Sequence, residues 1–209
     1  MKFDAKKCEK LKPVIGEGFV YFDRENHKYY DEKGRKMISG SEYAGQQFAK
    51  FDGENIAENV ANYYGWNKNS VIDLWDLKRD YGTIIHKAIE LYALYGDMVF
   101  AKLPADIISI VKSCGVDMKN VTPEAFVRYK NHCGFIDLLQ FRESDNSFHI
   151  YDWKINDKKD EQKVQRWTYQ QNFYRDIIEK CGRKVNGMTI KQYNGEWHDV
   201  ELAREEIRW

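Results

Sequence analysis

The sequence predicts an α/β fold in which a central mixed β-sheet is flanked by helices and preceded by an N-terminal β-hairpin and a helical region. Three observations carry that expectation. The apolar spacing is helical from about residue 40 to Gly115 and strand-like afterwards, a long helical pattern at Asp160–Lys180 interrupts the strand-like stretches, and two further strand patterns close the chain. Helices, three strands, a helix and two strands, in that order, fit helices layered on one sheet.

In chain order, Phe19–Phe22 and His27–Tyr30 alternate like two short strands and run into a turn at Asp31-Glu32-Lys33-Gly34. Ser39-Gly40-Ser41-Glu42 fits a capping box: the Ser oxygen accepts from a free helix N–H and the Glu reaches back. The helix it opens should extend to about Lys50. Further helices are expected over Glu54–Tyr64, Ser70–Lys78 and Gly82–Tyr95, and Pro104 suits the first turn of one ending near Cys114-Gly115. Glu124–Arg128, Cys133–Phe141 and Ser147–Ile155 read as strands, with Arg142–Asn146 a polar turn between the last two. Val185–Tyr193 and Trp197–Leu202 form a closing hairpin through Asn194-Gly195. With only three Pro and no low-complexity tract, the 209 residues read as one domain: a hairpin and helical region over 1–80, then a core over 81–202.

Composition narrows the function classes. Charged residues make up 32% and apolar ones 43%, an ordinary balance for a globular enzyme, and net charge is zero, so no global field draws the chain to nucleic acid. Charge is uneven locally: Lys154, Lys158, Lys159, Lys163 and Arg166 fall within thirteen residues, diluted by Asp157, Asp160 and Glu161. Such a run is either a solvated helix face or the start of a basic groove. Cys8, Cys114, Cys133 and Cys181 are far apart and include no C-x-x-C pair, which argues against a zinc knuckle or an iron–sulfur cluster. Neither an N-terminal signal pattern nor a membrane-length apolar run is present, so a cytoplasmic protein is the expectation.

The chemistry centres on His149-Ile150-Tyr151-Asp152-Trp153-Lys154-Ile155. On a strand, Asp152 and Lys154 point to the same side. The triplet alone carries no information, because D-x-K occurs six times in the chain. Its neighbours add content. On the strand Cys133–Phe141 the odd positions are Cys133, Phe135, Asp137, Leu139 and Phe141, so Asp137 sits on an apolar face, where an ionised carboxylate needs a cation or donors. It is either held by a backbone N–H or an Arg at a strand bend, or it ligates a metal; Gly134 before it can mark a bulge. If the two strands pair antiparallel, Asp137 and Asp152 converge, and a pair of carboxylates suits Mg²⁺ or Mn²⁺. Lys154 then either orients and helps deprotonate a water or forms a salt bridge to a nearby acid. Gly82, His86 and Glu90 share one helix face, as do Gln162, Arg166, Gln170 and Tyr174, beside an apolar ridge of Tyr169, Phe173 and Ile177.

Taken in order, G-x-x-x-H (Gly82–His86), G-x-x-D (Gly134–Asp137), D-x-K (Asp152–Lys154) and Q-x-x-x-Y (Gln170–Tyr174) resemble the RecB-like branch of the PD-(D/E)XK nucleases. The four motifs span a little under half the chain. The stretch Phe22–Tyr29 followed by Ile38-Ser39-Gly40-Ser41 is similar to the opening of phage exonucleases and of the mitochondrial genome maintenance exonuclease, although Gly40-Ser41-Glu42 departs from the commoner Ser-Val-Thr. The resemblance implies a restriction-endonuclease-like core and a Mg²⁺- or Mn²⁺-dependent deoxyribonuclease. In that family Asp137, Asp152 and the Trp153 carbonyl would ligate the metal, with His86 as an additional ligand. Lys154 would activate the attacking water, and Gln170 and Tyr174 would position DNA, flanked by Arg166 and Lys163. Glu90 and Glu124 match acids with supporting roles.

Two departures stand out: Ile155 follows the catalytic Lys where Thr or Ser is common, and the four-cysteine cluster of many RecB-like nucleases has no counterpart, so none is expected. Without a P-loop, any motor must be a separate chain. The implied function is an exonuclease leaving 5′ phosphates in recombination, repair or replication, with a recombination or replication protein as the expected partner class. An endonuclease on the same fold, or a catalytically silent DNA-binding protein, are the alternatives.

Overall fold

The computed structural model describes residues 3–49, 51–155 and 160–208. Two sheets form. A small antiparallel one comprises β1 (Glu9–Leu11), β2 (Val20–Asp23) and β3 (Lys28–Tyr30). The large one contains β4 (Ile38–Ser39), β5 (Val121–Tyr129), β6 (His132–Arg142), β7 (Ser147–Ile155), β8 (Lys184–Tyr193) and β9 (Trp197–Glu201). It is mixed: β6 is antiparallel to β5 and β7, β7 is parallel to β8, and β8 and β9 form the closing hairpin. The expected α/β architecture with a mixed sheet and an N-terminal hairpin-like element is present. Strands β1 and β4, too short to show a period, escaped the sequence reading.

Five α-helices surround the sheet: α1 (Gly40–Gln46), α2 (Gly53–Tyr64), α3 (Lys68–Tyr95), α4 (Ala105–Lys112) and α5 (Glu161–Lys180). Helix α5 covers one face, packing Phe173, Ile177 and Ile178 on Ala125, Ile136, Leu139, Ile150 and Met188. Helices α3 and α4 cover the other, with Ile85, Ala88, Ile89, Ile107 and Ile110 against Leu138 and Trp153. The C-terminal segment is tied to α5 by Asn172, which donates to Ala203 O, and by Arg175, which donates to Glu205 O.

Three local expectations are corrected. The capping box is half made: Ser39 Oγ accepts from Glu42 N at 3.2 Å, but the Glu42 carboxylate takes Lys36 instead of reaching back. Helix α1 stops at Gln46, short of the expected Lys50, which lies outside the described residues. The two helices expected on either side of Asp80 are one 28-residue helix. Gly82 is absorbed in its interior, at a propensity cost of about 1 kcal/mol that the packing of its second half outweighs. The division at residues 80 and 81 therefore falls inside α3.

A further correction concerns the face of Asp137. Phe135 packs with Phe126 and Cys133 on one side of the sheet, whereas Leu139 packs under α5 on the other. Two odd positions of one strand thus face opposite ways, so alternation fails between them. The same happens opposite, on β5: Val121 packs toward α3 and α4, and Ala125 toward α5. The paired residues run Pro123 to Leu138 and then Ala125 to Ile136, skipping Glu124 and Asp137. Glu124 adopts φ 46°, a left-handed conformation costly for a non-Gly residue. Both strands are irregular at one level, and Gly134 is not where the irregularity lies.

Candidate active site

The β6–β7 ladder ends at Leu138–Tyr151, while β4 pairs the other end of the same β6 edge, at His132 and Cys133. Between these, residues 134–137 of β6 border a fork in the sheet. Extending the register by one residue places Asp137 opposite Asp152, and extending the β5–β6 register places Glu124 opposite Asp137. Three carboxylates therefore occupy one row across three strands.

Asp137 spans the fork. Its Oδ2 accepts from Trp153 N at 2.9 Å, and His86 Nδ1 of α3 lies 3.3 Å from the same oxygen. A strand residue sends its N–H and C=O to the same side, so the Trp153 carbonyl also faces the fork. Asp152 is buried on the α5 side; Gln171 Nε2 donates to its Oδ1 at 3.1 Å, and Lys154 Nζ lies 2.5 Å from Oδ2. Oδ2 is compensated by that ammonium alone, whereas the buried Gln171 Oε1 has no hydrogen-bond partner among the described residues.

Charge in the fork is unbalanced. Burial, then the neighbouring Asp137, raises the Asp152 pKa; Lys154 pulls it back only in part. Burial also disfavours the Lys154 ammonium, but Asp152 and Asp137 outweigh it, so the net shift is upward and Lys154 stays protonated. Glu124 is pushed up to about 7 by crowding within the protein, then by Asp137 and Glu90. It is itself exposed, so solvent screens part of that effect.

The contacts of Asp137 and Lys154 are also those of a purely structural Asp on a backbone N–H and a Lys in a salt bridge. Among the described residues, no three His, Cys, Asp or Glu side chains already enclose a metal position. What a structural role leaves unexplained is the buried Gln171 Oε1 without a donor, beside an Asp152 carboxylate whose charge Lys154 offsets only in part. An unsatisfied buried acceptor is costly, and a hard divalent cation satisfies oxygen acceptors. The donor set of two carboxylates, a backbone carbonyl, an imidazole and an amide oxygen therefore fits Mg²⁺ or Mn²⁺.

The remaining predicted residues divide. Glu90 is taken by Lys87 at 2.7 Å and is close enough to raise Glu124. Arg166 is exposed, near enough to Lys154 to lower its pKa, and close to α1 at Gly45. Lys163 is paired with the helix-capping Asp160 at 3.3 Å. Lys158 and Lys159 of the basic run lie outside the described residues. Tyr174 is 4% exposed, and its ring fills the space beside Gly134: a methyl built there would stand 2.7 Å from Tyr174 Cε1. The Gly of one motif and the Tyr of another are thus a packing pair, and Tyr174 presents no open surface for a DNA contact. Gln170 is half-buried and hydrogen-bonds Tyr174.

The residue missed was Gln171. Its signal was present: Trp167, Gln171, Tyr174 and Ile178 follow a 4-3-4 spacing along the buried stripe of α5, and a polar side chain there needs a partner. A cavity of about 1020 Å³ beside Ile15, Arg128 and Cys181 contains none of these residues. No protein-family model matches the chain, and comparison with curated proteins also returns no match. Among the described residues no helix is long and apolar enough to cross a membrane.

Proposed function

We propose that the chain is a metal-dependent deoxyribonuclease, an exonuclease of the RecB-like PD-(D/E)XK type on a restriction-endonuclease-like core, leaving 5′ phosphates in recombination, repair or replication. The observation that carries this reading is the fork: Asp137 and Asp152 opposite each other on splayed strands, with Lys154 against Asp152, His86 against Asp137 and the buried Gln171 Oε1 lacking a donor.

A Mg²⁺ or Mn²⁺ ion held by Asp137, Asp152, the Trp153 carbonyl and His86 would supply a Lewis acid at the phosphodiester. The chain's own residues then have definite tasks. Lys154, kept protonated by its acid neighbours, donates from Nζ to the attacking water or to a phosphate oxygen, so it orients the nucleophile and offsets charge. Gln171 holds Oδ1 of Asp152 and leaves Oδ2 for the cation. Trp153 N–H fixes Asp137. Arg166, exposed next to Lys154, is placed for a phosphate on the strand approaching from α5. Tyr174 acts on this site only as packing that fixes Gly134 and through its contact with Gln170.

End-labelled linear DNA and covalently closed circular DNA, incubated with Mg²⁺ or Mn²⁺, test the reading. The wild type is expected to degrade the linear substrate, and Asp152→Ala and Lys154→Ala to lose at least about a hundredfold in rate, in line with removal of a group that stabilises developing charge. Cleavage of the circle would indicate an endonuclease. Wild type that cuts neither, or variants that cut as well as wild type, would sink the assignment and leave DNA binding alone.

A further inference from the structure

Helix α3 has two halves. The second is sealed into the core at Ile85, Ala88 and Ile89; the first packs on α2, through Val71, Ile72 and Trp75 against Ala57, Val60 and Ala61, and Trp75 also meets the Phe51 ring at 6.1 Å. The side of this first half away from α2 is apolar and open: Leu77 is 66% exposed, Ile84 53%, and Leu74 and Tyr81 38% each.

The spacing of that surface is informative. Ser70, Leu74, Leu77, Tyr81 and Ile84 follow one another at four, three, four and three residues. That is a 3.5-residue repeat, the d and a positions of two heptads, which makes a narrow seam of the kind that pairs with another helix. The next seam position, Ala88, is buried, so the open seam ends where the helix enters the core. Beside its first half lies a shallow groove of about 550 Å³ lined by Trp66, Asn67, Ser70, Asp73, Leu74 and Leu77.

We infer that this seam is a self-association surface, occupied by α3 of a second copy of the chain lying parallel to the first. The flanking charges select the occupant. Asp73 and Asp80 line one edge, at g positions, and Lys78 the other, at an e position. In a parallel pair, the g residue of one helix meets the e residue five positions on in the other, so Asp73 faces Lys78 of the second copy, and the reverse. An antiparallel pair would set the acidic edges against each other. DNA finds little attraction there, since Asp73, Asp76 and Asp80 outnumber Lys78 and Arg79, and Arg79 is already paired with Asp76 and Asp80. The interface is isologous and closes at two copies. It stands independently of the nuclease reading, because it uses none of the residues in the fork.

Sedimentation equilibrium from about 1 µM to about 100 µM tests the inference. The wild type is expected to approach dimer mass. Leu77→Glu is expected to weaken association by at least about a hundredfold, because each copy loses a buried leucine and gains a charge. Its thermal melt measured as monomer should be unchanged, since Leu77 lies outside the core. Asp73→Lys and Lys78→Asp, each alone, should weaken association at low salt by up to about tenfold, and the two together should restore it. A wild type that stays monomeric across the range, a Leu77→Glu variant that still dimerises, or a double swap no better than the singles would each overturn it.

Discussion

Two glycines from neighbouring motifs have opposite reasons to be there. At Gly134 a side chain is excluded: any Cβ runs into the Tyr174 ring at 2.7 Å, and that ring is buried and cannot swing away. Gly134→Ala should therefore destabilise the fold by about 1–3 kcal/mol, the range for overpacking a well-filled core. Urea unfolding would report it as a lower midpoint with unchanged slope. Gly82 is different. A methyl there meets Ile155 Cβ at 3.7 Å, an ordinary van der Waals distance. The motif residues with chemistry to perform are fewer than the motifs themselves: Asp137, Asp152, Lys154 and His86 meet at the fork, whereas Gly134 and Tyr174 build the wall beside it.

The elements show where periodicity succeeds as a guide and where it fails. Strand β7 and helix α5 were legible because each keeps one period throughout its length. Helix α3 was split by the sequence reading because Gly lowers local propensity, yet a helix anchored at both ends by packing passes through a single Gly. It follows that Gly82→Ala should raise the melting temperature, by an amount equivalent to about 0.5–1 kcal/mol, through lower backbone entropy in the unfolded chain. Circular dichroism melts of the two glycine variants side by side should move in opposite directions; a fall for Gly82→Ala would contradict the account of α3. Strand β6 failed differently. Strict alternation placed Asp137 on a face with Phe135 and Leu139, but the irregularity opposite Glu124 flips the strand in between. Carboxylates at the same level of adjacent strands repel, and letting the ladder open there relieves that repulsion.

For the molecule as a whole, the point where β4, β5 and β6 meet α5 is a pH-sensitive joint. His132 is buried there, edge-on to Phe173 at 5.6 Å, and burial, then the charge of Lys180, depresses its pKa to about 4. The unfolded chain binds the proton nearer pH 6.5, so between these values the unfolded state holds more protons than the folded one, and stability rises with pH. Acidification from pH 6.5 toward 4 should therefore erode stability, and His132→Leu should flatten that limb while leaving neutral-pH behaviour close to wild type. Denaturant midpoints across that window would show it; parallel slopes for the two proteins would remove His132 from the explanation.

The sequence by itself determined the α/β class and the order of the main elements, because hydrophobic period and turn chemistry are local properties; Asp137, Asp152, Lys154 and His86 were singled out as a set by the order of four short motifs, a resemblance and not a period. It could not see that β4 and β7 share one edge of β6 and leave a fork between them, since strand neighbours are chosen by packing across the whole sheet. Nor could it see that Gln171, rather than Gln170, touches Asp152, because one residue on a helix is a rotation of about 100° and only the docked position of α5 settles which side chain points inward. The triplet Asp152-Trp153-Lys154 was one of six alike in the chain. Burial, the opposing Asp137 and the contact with Gln171 distinguish it, and all three are properties of the folded chain.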